Sequence, residues 1–220
     1  MTPRAPEGIS NEGATCWFGS LIQCLRTCRD WSEDPGDDPF TQEFYKIVKM
    51  EPNEFLKEFL TKYQDFQEGP SDSQEALFFI LDQLEKSIGL KDFTGEITQT
   101  ITWSEGSSVK KYPCTVWLEP EKDLVISGYK DDAGKSFHVA IQQTVLSRRP
   151  KVLVTTSGKN PPSDKGLTGL VALYGGHYVS FVRTGDEWFL VNDNQVHKAS
   201  PDLTKNYYLS FHTIENGLDP

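Results

Sequence analysis

Cys16 is the residue of this 220-residue chain best placed to act as a nucleophile. It follows the turn formers Asn11, Gly13 and Thr15 and opens an amphipathic stretch in NEGATCWFGSLIQCL. A cysteine at the first turn of a helix meets backbone N–H groups without helical partners and the positive end of the helix dipole. Both favour the thiolate, the reactive form of the side chain. The same N–H groups can receive the oxyanion of a tetrahedral intermediate. A turn at Gly13 swings the Asn11 amide back over the sulfur as a further oxyanion donor. Cys24 and Cys28 lie deeper in the helix, on its apolar face, and read as buried.

A nucleophilic thiol needs a base, and the base needs a group to orient it. Of the four histidines, His177 follows Gly175-Gly176 and opens the strand HYVSFVR. The sequence then runs through T-G-D-E into WFLVND, which predicts a β-hairpin turning at Gly185-Asp186. A two-residue turn there pairs Thr184 with Glu187 and sets residues 192–194 opposite 177–179. Asn192 and Asp193 therefore arrive beside His177, where one of them can accept a hydrogen bond from the imidazole and set its tautomer. His138 sits inside an alternating strand, and His197 and His212 lie near strand ends without obvious partners. The competing reading of cysteine with histidine is zinc. Zinc sites need ligands paired at short spacing, and Cys16, Cys114, His177 and His197 offer no such pair. No metal or other cofactor is expected.

The elements that must position these groups divide in two. Apolar residues at Trp17, Leu21, Cys24, Leu25 and Cys28 predict a half-buried helix from Cys16. WSEDPGDDPF reads as an acidic, turn-rich loop. A second helix is expected after Glu51-Pro52, with Asn53 as N-cap and a stripe of Leu56, Phe59, Leu60, Tyr63 and Phe66. A third begins near Ser71, with Asp72 and Glu75 at capping-box spacing and Leu77, Ile80, Leu81, Leu84 and Ile88 on its buried face. From about residue 95 the period becomes two. Ile97, Ile101 and Trp103 alternate with Thr98, Thr100 and Thr102, and further strands are expected at 112–118, 137–146, 151–156, 168–174, 177–183, 187–191 and 206–212. LVISGYKD is a candidate short helix between two of them, and GKNPPSDKG is a breaker. Helices followed by strands predict an α+β fold, a helical lobe beside an antiparallel sheet, in one domain spanning 1–220 with short flexible termini.

Composition limits the partners. With 37% hydrophobic and 12% aromatic residues, the chain can bury a core without disulfides, and its four cysteines form no C-x-x-C pair. MTPRAPEGIS lacks the apolar stretch of a secretory leader, and no apolar run approaches a membrane span. The chain reads as a soluble, reduced, cytoplasmic monomer. A formal net charge of −10 repels phosphate backbones and excludes nucleic acid as a partner.

Together these segments resemble the ubiquitin-specific protease family, papain-like in its chemistry. GISNEGATCWFGSLIQCL resembles the family's cysteine box, SDSQEALFFILDQLE its Q-D-A-x-E-F-L box, and RRPKVLVTTSGK its P-x-V-L strand. GGHYVSFVRTGDEWFLVNDNQV resembles the histidine box. The four occur in the family's order from residue 8 to about 211. The resemblance implies a papain-like fold, with a helical thumb over about 8–94 and a β palm with reduced fingers over about 95–212. It implies Cys16 as nucleophile, His177 as base, Asn192 as third member, Asp193 as the neighbouring acid and Asn11 in the oxyanion hole. Asp72, Glu75, Gly176 and Tyr178 fall where the substrate's C-terminal tail runs. The implied reaction is hydrolysis of the (iso)peptide bond after the C-terminal Gly-Gly of ubiquitin. The partners would be ubiquitin, polyubiquitin chains and ubiquitylated proteins. SUMO, NEDD8 or a similar modifier, and an inactive ubiquitin-binding module, stay open as alternatives. So does a pathogen-encoded enzyme in a host cytosol. Departures are Ala14 and Gly19 in place of asparagines, Pro70-Ser71 where the box opens with glutamine, and Ala76 in place of an aromatic. The C-x-x-C pairs of the family's zinc-binding fingers are missing, and TGLVALYGGHY implies a trimmed loop before the histidine.

Overall fold

The computed structural model describes residues 5–11, 13–49, 52–63, 72–118, 120, 122–156 and 163–214. Four helices come first: α1 (Cys16–Cys28), α2 (Pro39–Lys49), α3 (Pro52–Lys62) and α4 (Ser73–Ile88). α1 buries the expected stripe, with Leu21, Cys24, Leu25 and Cys28 fully enclosed. α2 was not expected, because its start lies within the acidic segment read as loop. Asp38 there accepts from the Thr41 N–H at 2.8 Å, and Pro39 takes the first helical position, where a missing N–H costs nothing.

Pro52 plays the same part in α3, so Asn53 lies inside the first turn and is not the expected N-cap. Its side chain instead accepts from Ser10 N at 2.6 Å and donates to the Gly8 carbonyl at 2.9 Å, pinning the N-terminal segment to the helices. Leu56, Phe59 and Leu60 of the α3 stripe are buried, while Phe66 lies outside the described residues. α4 starts at Ser73, capped by Asp72, whose Oδ1 accepts from Gln74 N at 2.7 Å and Glu75 N at 3.1 Å. Ser71, where this helix was expected to begin, lies outside the described residues.

The strands form two sheets. β1 (Gly95–Trp103), β2 (Gly106–Cys114), β4 (Leu124–Lys130) and β5 (Ser136–Arg148) make an antiparallel sheet in the order β2-β1-β5-β4. β4 replaces the candidate short helix. Its Leu-Val-Ile run suits a strand, and it satisfies the outer edge of β5 from Leu124 opposite Gln142 to Lys130 opposite Ser136. Trp103, Tyr129 and Phe137 gather at one end, with Trp103 ring centroids 5.1 and 5.7 Å from the other two.

The second sheet comprises β3 (Val116–Trp117), β6 (Val152–Thr156), β7 (Leu167–Tyr174), β8 (His177–Thr184), β9 (Glu187–Asn192), β10 (Gln195–Lys198) and β11 (Leu209–Thr213). Its order is β10-β9-β8-β7-β11-β6-β3. It departs from a purely antiparallel sheet at one edge, where β3 runs parallel to β6. The single strand expected over 112–118 is thus the end of β2 and all of β3, in different sheets.

One apolar cluster runs from the helices into this second sheet. It joins Phe18, Leu21, Phe44, Phe59 and Leu77 to Val154, Val171, Val182 and Phe211. The helical lobe and the sheet therefore share a core. α1 lies directly on β7 and β8. A Cβ on Gly169 of β7 would come within 3.0 Å of Cys24 Sγ and 3.3 Å of Cys24 Cα. Only a residue without a side chain lets the helix approach this closely. Gly169→Ala is expected to cost about 1–3 kcal/mol through overpacking, read from the urea midpoint.

Candidate active site

α1 and β8 bring the two ends of the chain's reactive chemistry to one interface. Cys16 is half-buried at the N-terminus of α1, and His177 opens β8, the strand on which α1 packs. The turn before His177 is as short as a hairpin allows. Tyr174 pairs with His177, and Gly175 and Gly176 between them have φ of +58° and +87°. Side chains rarely adopt those angles, so the turn needs glycine.

β8 and β9 pair in the expected register, from Thr184 opposite Glu187 to Ser180 opposite Val191. Asn192 consequently ends β9 beside His177, and its Oδ1 lies 2.7 Å from His177 Nε2. An amide oxygen can only accept, so the imidazole carries its proton on Nε2 and leaves the Nδ1 lone pair free. The Asp193 carboxylate stands 3.8 Å from the same nitrogen, beyond hydrogen-bond length. The His177 side chain is 38% exposed, open to a partner arriving from solvent.

Asp193 has a second set of contacts. Its backbone has φ of +53°, and its carbonyl accepts from Ile9 N at 2.9 Å. Its Oδ2 accepts from Asn11 Nδ2 at 3.4 Å. The Asn11 Oδ1 in turn accepts from Thr15 N at 3.0 Å and Thr15 Oγ1 at 3.3 Å. The Asn11 amide is thus oriented at both ends, with one Nδ2–H left over among the described residues. Five residues before Cys16, Asn11 links the start of α1 to the end of the histidine hairpin.

Tyr208 links Tyr178, the neighbour of His177, to Asp72. The Tyr208 hydroxyl donates to Asp72 Oδ2, and the Tyr178 and Tyr208 rings sit edge to face at 5.5 Å. Burial foremost, then the Asp72 carboxylate, raises the Tyr178 phenol above its ordinary range. Cys16 adds to the rise, and the Tyr208 hydroxyl opposes it. Glu75 is exposed in the first turn of α4, and Gly176 is exposed at the hairpin turn. Tyr208 was not among the expected site residues. In KNYYLSF only strand parity distinguishes the two tyrosines: Tyr207 packs on the far face of the sheet, and Tyr208 faces the helices.

The remaining cysteines and histidines take no part here. Burial raises the thiol pKa of both Cys24 and Cys28. His138 and His197 are exposed on strands. Among the described residues, no three His, Cys, Asp or Glu side chains gather closely enough to hold a metal ion. No described helix is long and apolar enough to cross a membrane.

Cys16 thus opens the helix that packs on β8, and β8 opens with the amide-bound imidazole of His177. The family model for ubiquitin carboxyl-terminal hydrolase matches residues 7–165, well over half of the chain. The chain belongs to that family and is a cysteine-type deubiquitinating hydrolase. His177, Asn192 and Asp193 lie beyond the matched span, where the geometry above describes them. A search of curated proteins finds no match. Solved structures share the fold. A chain of the SAGA DUB module Ubp8/Sgf11/Sus1/Sgf73 bound to monoubiquitin aligns with a TM-score of 0.74 at 20% identity, over 98% of this chain and 72% of that one. The same module bound to ubiquitin aldehyde gives 0.71 at 19% identity, again over 98% and 72%. A yeast SAGA DUB module with a mutant Sgf73 gives 0.71 at 20%, over 98% and 71%. The fold is therefore the papain-like α+β architecture that the resemblance implied.

His212 supplies a pH test of the core beneath this site. Burial lowers its imidazole pKa, opposed by the Lys165 carbonyl 3.3 Å from Nδ1, with Arg149 adding to the decrease. As pH falls through the ordinary histidine range, the unfolded chain takes up a proton that the native state refuses, so stability falls. His212→Gln is expected to lessen the loss of stability between about pH 7 and about pH 5, measured by urea midpoints.

Proposed function

We propose that the protein hydrolyses the peptide or isopeptide bond after the C-terminal Gly-Gly of ubiquitin through a Cys16 thioester. The observation that carries this reading is the 2.7 Å contact between His177 Nε2 and Asn192 Oδ1, which leaves Nδ1 as the basic nitrogen at the α1–β8 interface. His177 takes the Cys16 proton, and the sulfur attacks the carbonyl of the last glycine. The backbone N–H of Cys16 and the spare Asn11 Nδ2–H receive the oxyanion. His177 then protonates the leaving amine, and water, activated by the same imidazole, hydrolyses the thioester. Asn192 is the principal orienting group, and Asp193 acts chiefly on Asn11. The similar structures bound to monoubiquitin and to ubiquitin aldehyde support ubiquitin as the partner.

Gly176 leaves the approach to Cys16 clear for an extended tail, and Tyr178 lines it. Glu75, exposed in the first turn of α4, offers its carboxylate to cationic tail residues. The enzyme acts as a cytoplasmic monomer on polyubiquitin chains or ubiquitylated proteins. Four free thiols support a reducing compartment.

The direct test is turnover of a ubiquitin C-terminal fluorogenic amide, run beside SUMO and NEDD8 substrates. Cys16→Ala is expected to abolish cleavage while keeping ubiquitin binding measurable; retained cleavage rules out the assignment. His177→Ala should lower kcat by about 10²–10⁴-fold, and Asn192→Ala by less, since orientation is a smaller task than proton transfer. If Asn192→Ala is silent while Asp193→Ala is inactive, the orienting residue is Asp193. Turnover of another modifier in place of ubiquitin would replace the substrate and keep the chemistry.

A further inference from the structure

A continuous chain of contacts links the residue after Cys16 to the residue after His177. Ser73, fully buried at the start of α4, donates its hydroxyl to the Trp17 carbonyl at 2.7 Å. Asp72, its neighbour, spends one carboxylate oxygen on two α4 amides and receives the Tyr208 hydroxyl on the other. Tyr208, just before β11, stacks edge to face on Tyr178, which is 7% exposed and adjoins His177. The path runs α1, α4, β11 strand end, β8. It spans the boundary between the helical lobe and the sheet, directly beside the candidate nucleophile and base.

We infer that Tyr208 is a positioning residue: its bond to Asp72 clasps α4 to the sheet and fixes where α1 presents Cys16 relative to His177. Three features support it. A hydroxyl donating to a carboxylate is among the stronger hydrogen bonds and is half-shielded from water here. Both its neighbours are anchored independently, Asp72 by capping α4 and Tyr178 by the ladder of β8 with β7. The clasp also commits most of the Asp72 acceptor capacity inside the protein: three donors already occupy it, and a carboxylate offers about four lone-pair sites. Glu75, exposed one helical step on, is the carboxylate left for a cationic substrate tail. The inference rests on the proposed thiol chemistry for its consequence in turnover, though not for its effect on the thiol itself.

The test uses the full chain and two readouts, turnover of the ubiquitin C-terminal amide and alkylation of Cys16 by iodoacetamide, followed by mass spectrometry. Tyr208→Phe keeps the ring and removes the donor. It is expected to lower kcat by about ten- to a hundredfold, the size of an ångström-scale misplacement, with KM changed by less than about twofold and the alkylation rate falling in parallel. Asp72→Asn, which keeps a capping oxygen but loses the charge, should lower kcat as well. The double variant should lose no more than Tyr208→Phe alone, because both remove one contact. If Tyr208→Phe fails to fold, Asp72→Asn carries the same comparison of kcat, KM and alkylation. Wild-type kcat and alkylation in Tyr208→Phe, a loss in KM alone, or additive losses in the double variant would overturn the clasp. Should the wild type not cleave ubiquitin at all, the proposed function fails while the alkylation arm still decides the clasp.

Discussion

The seating of α1 on β7 and β8 is the constraint on which the rest depends. It is a helix-on-sheet contact closed to backbone distance at Gly169, where Cys24 lies against the strand. That contact sets the height and angle of the helix, and hence where its first residue, Cys16, emerges. The apolar cluster beneath it is continuous from Phe18 and Leu21 to Val171 and Val182, so the helix cannot tilt without opening the core. The chemistry is thereby placed on rigid elements rather than on loops, which positions reacting groups most accurately.

Polar contacts then refine what packing sets coarsely. Asn192, Asp193 and Asn11 tie His177 and the hairpin end to the segment that enters α1. Tyr178, Tyr208, Asp72 and Ser73 tie β8 to α4 and to the first turn of α1. Asn53 completes the frame by holding the Gly8 and Ser10 backbone from α3. Both sets of side chains connect the helical lobe to the sheet. Gly175 and Gly176, exposed at the turn before His177, supply the positive φ that this turn requires.

Much of this was legible in the chain. The hairpin turn at Gly185-Asp186 determined which residues would lie beside His177, because antiparallel pairing is simple arithmetic once the turn length is known. The α1 stripe and the capping role of Asp72 were legible for the same reason: local periodicity and local hydrogen bonding decide them. What escaped depends on ambiguity or on distance. Asp38-Pro39 is equally a loop signal and a helix start, so α2 stayed hidden in an acidic segment. GSSVKKYPC has little apolar alternation, and β2 exists because β1 offers it an unpaired edge. LVISGYKD was ambiguous until β5 supplied a partner. The Asn53 and Tyr208 contacts, with partners 43 and 136 positions away, carry no local signature at all.

The proposed reaction requires the Cys16 thiol and the His177 imidazole to act as one unit across the α1–β8 interface. The most direct measurement is the rate of Cys16 alkylation by iodoacetamide near neutral pH, in the wild type and in His177→Ala, with folding checked by circular dichroism. If the two groups are coupled, loss of the imidazole slows alkylation markedly while the fold is kept. Equal rates in two folded proteins would show that the thiol does not sense the imidazole, and would contradict the account.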